Sequence, residues 1–131
     1  MKALDTNVIV RYLVQDDPDQ SRKATALIEG AASRGERLFV TAVVLCELVW
    51  VLRGAYEYGR DEIASALEKI LAAIEFWVED RDIAHRALAD FRDEGGDFAD
   101  YLIGWRARKA GVEKTATFDR RLRKSPLFEV L

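Results

Sequence analysis

A chain of 131 residues, half of them hydrophobic and a third charged, has the size and composition of one globular domain with a real core. Two prolines and eight glycines leave little room for disordered linkers, and the single cysteine excludes an internal disulfide and fits a reducing compartment. The net charge of −3 hides an asymmetry: from Trp105 to the end eight basic residues stand against three acids, which leaves +5 on the tail and −8 on the rest.

In chain order, Met1 to Leu4 is a short strand candidate that runs straight into Asp5, so no basic-then-apolar leader is expected. Asp5-Thr6-Asn7 has cap-and-turn chemistry, and Val8 to Val14 reads as a helix with Val8, Ile9, Tyr12 and Leu13 on one face. Asp17-Pro18 supplies a cap and a first-turn proline for a second helix ending near Gly35. Leu38 to Val40 is a strand, and Thr41 caps a strongly apolar helix to about Arg53. That stretch, Val40 to Leu52, is interrupted by Thr41 and Glu47 and falls short of the roughly 20 residues a bilayer needs, so no membrane association is expected. Asp61 opens a helix striped with Ile63, Leu67, Ile70 and Leu71. Phe76 to Val78 is strand-like, and Asp80 or Asp82 caps a helix ending at Gly95-Gly96. Asp97 caps another that stops at Gly111. Lys114 to Phe118 is a strand, Asp119 to Lys124 a turn or short helix, and Phe128 to Leu131 a last strand. Alternating strands and helices predict a mostly parallel sheet covered on both faces, with the active crevice at the carboxyl ends of its strands. We therefore expect one cytoplasmic α/β domain spanning residues 1–131.

Several chemistries are unavailable. His85 is the only histidine and Cys46 the only cysteine, which rules out paired-histidine cleavage and Cys/His zinc sites; neither a GxGxxG nor a Walker A pattern is present. His85 reads as a surface or half-buried side chain, and Cys46 as a small buried hydrophobe. Core packing is the expectation for Trp77 and Trp105.

Carboxylates remain. Glu47 interrupts a helix apolar on nearly every face, where an unpaired carboxylate would be costly; it is either in an ion pair, with Arg53 or Arg11, or at a functional cleft. Asp5 and Asp119 each close a strand candidate, and each also reads as a cap or turn residue. Asp97 and Asp100 share the face of a helix start; Asp97 is the natural cap, whereas Asp100 sits among Ala99, Tyr101, Leu102 and Ile103. If these acids converge, they repel one another unless a cation joins them, and all-oxygen ligation selects Mg²⁺ or Mn²⁺. Arg106, Arg120, Arg121 and Arg123 are candidate phosphate contacts for RNA, although basic residues near a helix C-terminus also suit its dipole. Trp50, Val51, Tyr56 and Tyr58 are open between core packing and a partner interface.

The segments Leu-Asp5-Thr6-Asn7-Val-Ile-Val-Arg-Tyr-Leu, Cys-Glu47-Leu-Val-Trp-Val-Leu, Asp97-Phe-Ala-Asp100-Tyr-Leu-Ile-Gly and Thr117-Phe-Asp119 closely resemble the motifs of PIN-domain ribonucleases, and most of all VapC-type toxins of toxin–antitoxin pairs. The resemblance covers essentially the whole chain with the motifs in order, and no acidic position is missing; Thr41, where serine is common, is a mild departure. It implies a three-layer α/β/α sandwich around four to five short, mostly parallel strands. It implies Asp5, Glu47, Asp100 and Asp119 around one or two Mg²⁺ or Mn²⁺ ions, with Asp97 accessory and Thr6, Asn7 and Thr117 adding polar contacts. It further implies single-strand-selective endonucleolytic cleavage of structured RNA, often tRNA or ribosomal RNA, by metal-activated water. Homodimers and a small inhibiting antitoxin also belong to the resemblance. A free-standing RNA-processing nuclease is the first alternative. An aspartyl-phosphate enzyme with Asp5 as nucleophile is the second, but Asn7 stands where such phosphatases place another aspartate, and Glu47 would have no role. A non-enzymatic binding module would have no use for four clustered acids.

Overall fold

The first strand, β1, is only Lys2–Ala3, and the chain turns immediately into helix α1, Thr6–Val14, because Asp5 in extended backbone geometry caps it. The computed structural model describes all residues from 1 to 131. Helix α2 (Pro18–Ser33) follows, then β2 (Leu38–Val40), α3 (Ala42–Gly54), α4 (Arg60–Ala72), β3 (Phe76–Val78), α5 (Arg81–Asp93), α6 (Phe98–Lys109), β4 (Thr115–Thr117), a 3-10 turn (Arg120–Leu122) and β5 (Phe128–Val130). The chain divides into two compact units, Met1–Arg81 and Asp82–Leu131. All five expected strands form and every pairing is parallel: β1-β2-β3 in the first unit and β4-β5 in the second. No helix is long and apolar enough to cross a membrane.

In the first unit the sheet registers Lys2 on Leu38, Ala3 on Phe39, and Val40 on Val78. Leu38, Val40, Phe76 and Val78 alternate onto the buried face, while Phe39 and Trp77 pair directly opposite each other on the other, ring centroids 4.8 Å apart. Trp77 therefore is not the core residue expected: it is exposed, lying over Phe39 with the Arg37 guanidinium against its ring. The buried stripe of α1 is also turned from the one anticipated. It is Thr6, Ile9 and Val10, while Val8, Tyr12 and Leu13 are half-buried. A hydropathy stripe gives no credit to a threonine, and Thr6 is buried because its hydroxyl has a partner across the fold.

Helix α2 begins as its sequence dictates, with the Asp17 carboxylate accepting the Gln20 N–H at 3.1 Å and Pro18 in the first turn. It buries Ser21, Ala24, Ile28 and Ala31, three of them small enough to let it lie close on α1, where Ser21 Oγ donates to the Arg11 carbonyl. Thr41 caps α3 by accepting the Val44 N–H, and Glu79, just beyond β3, accepts the Ala42 N–H at 2.9 Å. Two of α3's orphan amides are thereby satisfied. Helix α4 starts one residue before Asp61, with Glu62 reaching back to the Gly59 N–H. Leu45, Leu48, Leu52, Ile63 and Leu67 are fully buried, each contributing on the order of 1.5–3 kcal/mol of hydrophobic stabilisation.

The second unit is built on aromatic packing. Phe91 of α5 meets Phe98 of α6 edge to face, centroids 6.4 Å apart, and Tyr101, Leu122, Leu127 and Phe128 are buried with them. Gly104 lets α6 approach the chain entering β5, since a Cβ there would come within 3.1 Å of Leu127 and Phe128 side chains. Trp105 is half-buried rather than core; its indole N–H donates to Asp90 at 2.7 Å, and Arg86 and Arg108 lie against its ring.

Candidate active site

The carboxyl ends of the three parallel strands in the first unit lead into Asp5, Thr41 and Glu79. The Leu4 N–H still pairs with the Phe39 carbonyl, so Asp5 is the first residue to leave the sheet. Its Oδ1 accepts the Thr6 N–H at 2.9 Å, fixing the carboxylate at the start of α1, where the positive end of the helix dipole favours it. Thr6, only 6% exposed, then donates its hydroxyl to Glu47 Oε1 at 3.0 Å across 41 residues of sequence. One buried threonine thus joins Asp5 to Glu47.

Glu47 itself is exposed, although its sequence neighbours are apolar. Val43, Glu47 and Trp50 recur along one side of α3 and all three are exposed. An all-apolar segment does not bury every face of its helix, and the helix turns Glu47 outward. Arg11, one of the two ion-pair partners considered for it, is instead engaged by Asp16, Gln20 and the Tyr56 hydroxyl. Cys46, beside Glu47, is half-buried rather than fully enclosed. Asn7 is exposed and borders a groove of about 320 Å³ between α1 and α2, with Val8, Ala24 and Leu27 as its apolar lining.

The second unit holds the remaining acids. Asp97 caps α6, accepting the Phe98 N–H at 2.8 Å, and Asp100 reaches back to accept the Asp97 N–H at 2.9 Å. This reciprocal capping box satisfies two amides and locks both carboxylates to the first turn. Both are half-buried. Tyr101, completely enclosed and with its phenol pushed up by burial, accepts the Gly96 N–H at 2.8 Å just ahead of them.

Asp119 caps the 3-10 turn. Its N–H donates to Thr117 Oγ1 at 3.0 Å, which is the structural role of that threonine. Both carboxylate oxygens are met by Arg121, whose Nε lies 3.1 Å from each and whose Nη2 lies 2.7 Å from Oδ2. The Arg121 side chain, with its backbone N–H, holds the Asp119 carboxyl below the usual carboxylate range. The guanidinium is pulled upward in turn, by Asp119 first and more weakly by Asp100 and Asp97. Arg121, though exposed, is the counter-ion of Asp119 in this structure; Arg106, Arg120 and Arg123 are exposed as well.

The PIN domain family matches residues 2–126 of the chain. The chain belongs to the PIN-domain family. A curated relative, the VapC ribonuclease of Aquifex aeolicus (strain VF5), is 32% identical over 124 residues, which cover 95% of this chain and 91% of that protein. The three-layer α/β/α class read from the sequence is the class of this PIN domain, with its strands paired as three and two.

As a metal site the PIN domain's acids offer only hard oxygen donors, which suits a divalent cation of the Mg²⁺ kind. No three Asp, Glu, His or Cys side chains stand in a group able to hold a metal ion. What the structure assembles is two orienting devices: Thr6 joining Asp5 and Glu47, and the α6 capping box with Arg121 facing Asp119. Glu79 is the acid that the sequence reading missed. It stands at the carboxyl end of β3 as Asp5 does at that of β1, and by holding the Ala42 amide it sets the start of the helix that carries Glu47. The signal was its place directly after the strand Phe76–Val78.

Proposed function

We propose that this PIN-domain protein is a divalent-metal-dependent endoribonuclease, the toxin of a toxin–antitoxin pair. Family membership and the likeness to a VapC ribonuclease support the class of reaction. The observation that carries the site assignment is the buried Thr6 hydroxyl on Glu47, because a buried donor spent on an exposed carboxylate has orientation as its effect. Asp5, Glu47, Asp100 and Asp119 would hold Mg²⁺ or Mn²⁺, with Asp97 as an accessory acid. Such an ion, when bound, supplies activated water and offsets charge on the phosphodiester.

The chain's own residues do the positioning. Thr6 orients Glu47, the capping box orients Asp100, and Thr117 fixes the backbone at Asp119. Asn7, exposed one residue beyond Thr6, is available to the substrate. Arg106, Arg120 and Arg123 attract the RNA backbone, and Arg121 joins them if a cation displaces it from Asp119. In this reading residues 1–131 act as one nuclease domain in the cytoplasm. The exposed Val43 and Trp50 on α3 give a homodimer or a small antitoxin an apolar surface to cover.

The test is purified protein, freed of any antitoxin, on tRNA and ribosomal RNA. Cleavage is expected with Mg²⁺ or Mn²⁺ and is expected to stop with EDTA. Asp5→Asn and Asp100→Asn should abolish it with the thermal transition intact. Cleavage that survives both substitutions refutes the site assignment. A short co-transcribed reading frame for a DNA-binding protein separates the toxin from a free-standing RNA-processing nuclease.

A further inference from the structure

Five of the six phenylalanines are buried or half-buried; Phe118 is 82% exposed. It lies between Thr117, the last residue of β4, and Asp119, the cap of the 3-10 turn. The pleat of β4 turns Ala116 and Phe118 outward, while Thr115, Thr117 and Asp119 are half-buried. Nothing about the backbone there is loose. The Thr117 carbonyl accepts the Leu131 N–H at 2.9 Å, Thr117 registers on Val130 in β5, and Thr117 Oγ1 holds the Asp119 N–H. The ring is therefore presented to solvent on a backbone fixed from both sides.

Close after it come Arg120 and Arg123, both exposed, with Arg121 between them held by Asp119. An outward aromatic ring beside a run of guanidinium groups matches the two halves of a nucleotide: a base with a flat π-face and a phosphate with negative charge. Only a single strand offers both, because in a duplex the base faces are already stacked on their neighbours.

We infer that Phe118 is a base-stacking residue, which holds one unpaired base of single-stranded RNA beside the phosphate attacked near Asp119. The inference rests on the nuclease reading and deepens it: selectivity for unpaired RNA is already implied by the family resemblance, and the inference names the side chain that holds the unpaired base. Arg120 and Arg123 hold the flanking phosphates. The stack is indifferent to base identity, so Phe118 selects unpaired RNA without reading a sequence.

The experiment measures binding in EDTA, where no cleavage occurs, using a single-stranded RNA oligonucleotide carrying a fluorescent adenine analogue and its fully paired duplex. Phe118→Leu keeps the ring's apolar character without its aromatic face, and Phe118→Trp keeps the face. Phe118→Leu is expected to weaken single-strand binding about tenfold and to abolish the stacking-induced quenching of the analogue, and Phe118→Trp to retain both. Duplex binding, already weaker, should be the same in all three proteins. Thermal melts should coincide, because an exposed ring contributes little to the fold. Unchanged single-strand affinity in Phe118→Leu overturns the inference while the wild-type protein still binds and cuts RNA. So does a shift from dimer to monomer at unchanged RNA affinity, which would mark the ring as a contact between proteins. A wild-type chain that neither binds nor cuts any RNA overturns the nuclease reading itself.

Discussion

Gly96→Ala tests how the first turn of α6 is held in place. A Cβ at Gly96 would stand 2.7 Å from the Tyr101 hydroxyl and 2.9 Å from its Cζ, and closer still to Leu122 Cδ2. Neither neighbour can retreat easily, since Tyr101 and Leu122 are 0% and 1% exposed. Overpacking of this kind costs about 1–3 kcal/mol, and with two enclosed neighbours we expect about 2 kcal/mol. That corresponds to a melting temperature lower by roughly 8 °C for a chain of this length. The displaced groups matter for the site, because Tyr101 holds the Gly96 amide just before Asp97 and Leu122 closes the turn that Asp119 caps. The assay is urea unfolding of Gly96→Ala, Leu122→Ala and the double variant. Leu122→Ala alone creates a cavity and costs about 2–5 kcal/mol, but it also removes the clash, so the double variant should be more stable than the sum predicts by about 1 kcal/mol or more. Gly54→Ala, where no atom lies within 4 Å, is the control and should be neutral or slightly stabilising. Strict additivity, or a Gly96→Ala protein within about 0.5 kcal/mol of wild type, would refute the packing argument.

Thr6→Val removes the hydroxyl from Glu47 at nearly constant volume; because Glu47 is exposed and rehydrates, the stability cost should be only about 1 kcal/mol, while the thermal shift on adding Mn²⁺ should shrink markedly. Thr6→Ser, which keeps the donor, should retain that shift, and the reverse order between the two would sink the orienting role. Asp100→Asn preserves an acceptor for the Asp97 amide and should melt like wild type without the Mn²⁺ shift, whereas Asp100→Ala should also lose about 1 kcal/mol; equal melts for the two would show that the cap is idle. For Asp119 the sign follows from its lowered folded pKa: the pairing with Arg121 stabilises the fold above the usual carboxylate range and is lost as pH falls through that lowered value. An NMR titration of the Asp119 carboxyl should show its midpoint rising toward the ordinary range in Arg121→Gln, and an unmoved midpoint would assign the depression to some other group.

The elements were legible because their punctuation is local. Asp17-Pro18, Thr41 and Asp97 each start the helix expected of them, and every strand candidate forms. Burial was less legible, for two physical reasons. Hydropathy cannot tell which side of an apolar helix is left open, so Glu47 looks enclosed in sequence and is exposed in the fold, and Trp50, open between core and interface in sequence, is exposed on the same side. Nor does it foresee a polar atom made tolerable by a distant partner, as Thr6 is by Glu47. The pairing of Arg121 was hidden for a similar reason. In sequence it is one of a basic cluster, and only the short turn after Asp119 folds it back on that carboxylate.

For Asp5, Asp97 and Asp119 the observed capping role is compatible with the proposed role as functional acids. Each is the N-cap of the element it precedes, and each spends an oxygen on a backbone amide within two residues. A carboxylate has several lone-pair sites, and a bond to one oxygen fixes the plane in which the others point. Capping is therefore a low-entropy way to aim an acid. Glu47 lies in mid-helix and has no amide to cap. It is the one of the four principal acids aimed by a borrowed hydroxyl, which is why substitution at Thr6 should disturb Glu47 while leaving the capped aspartates as they are.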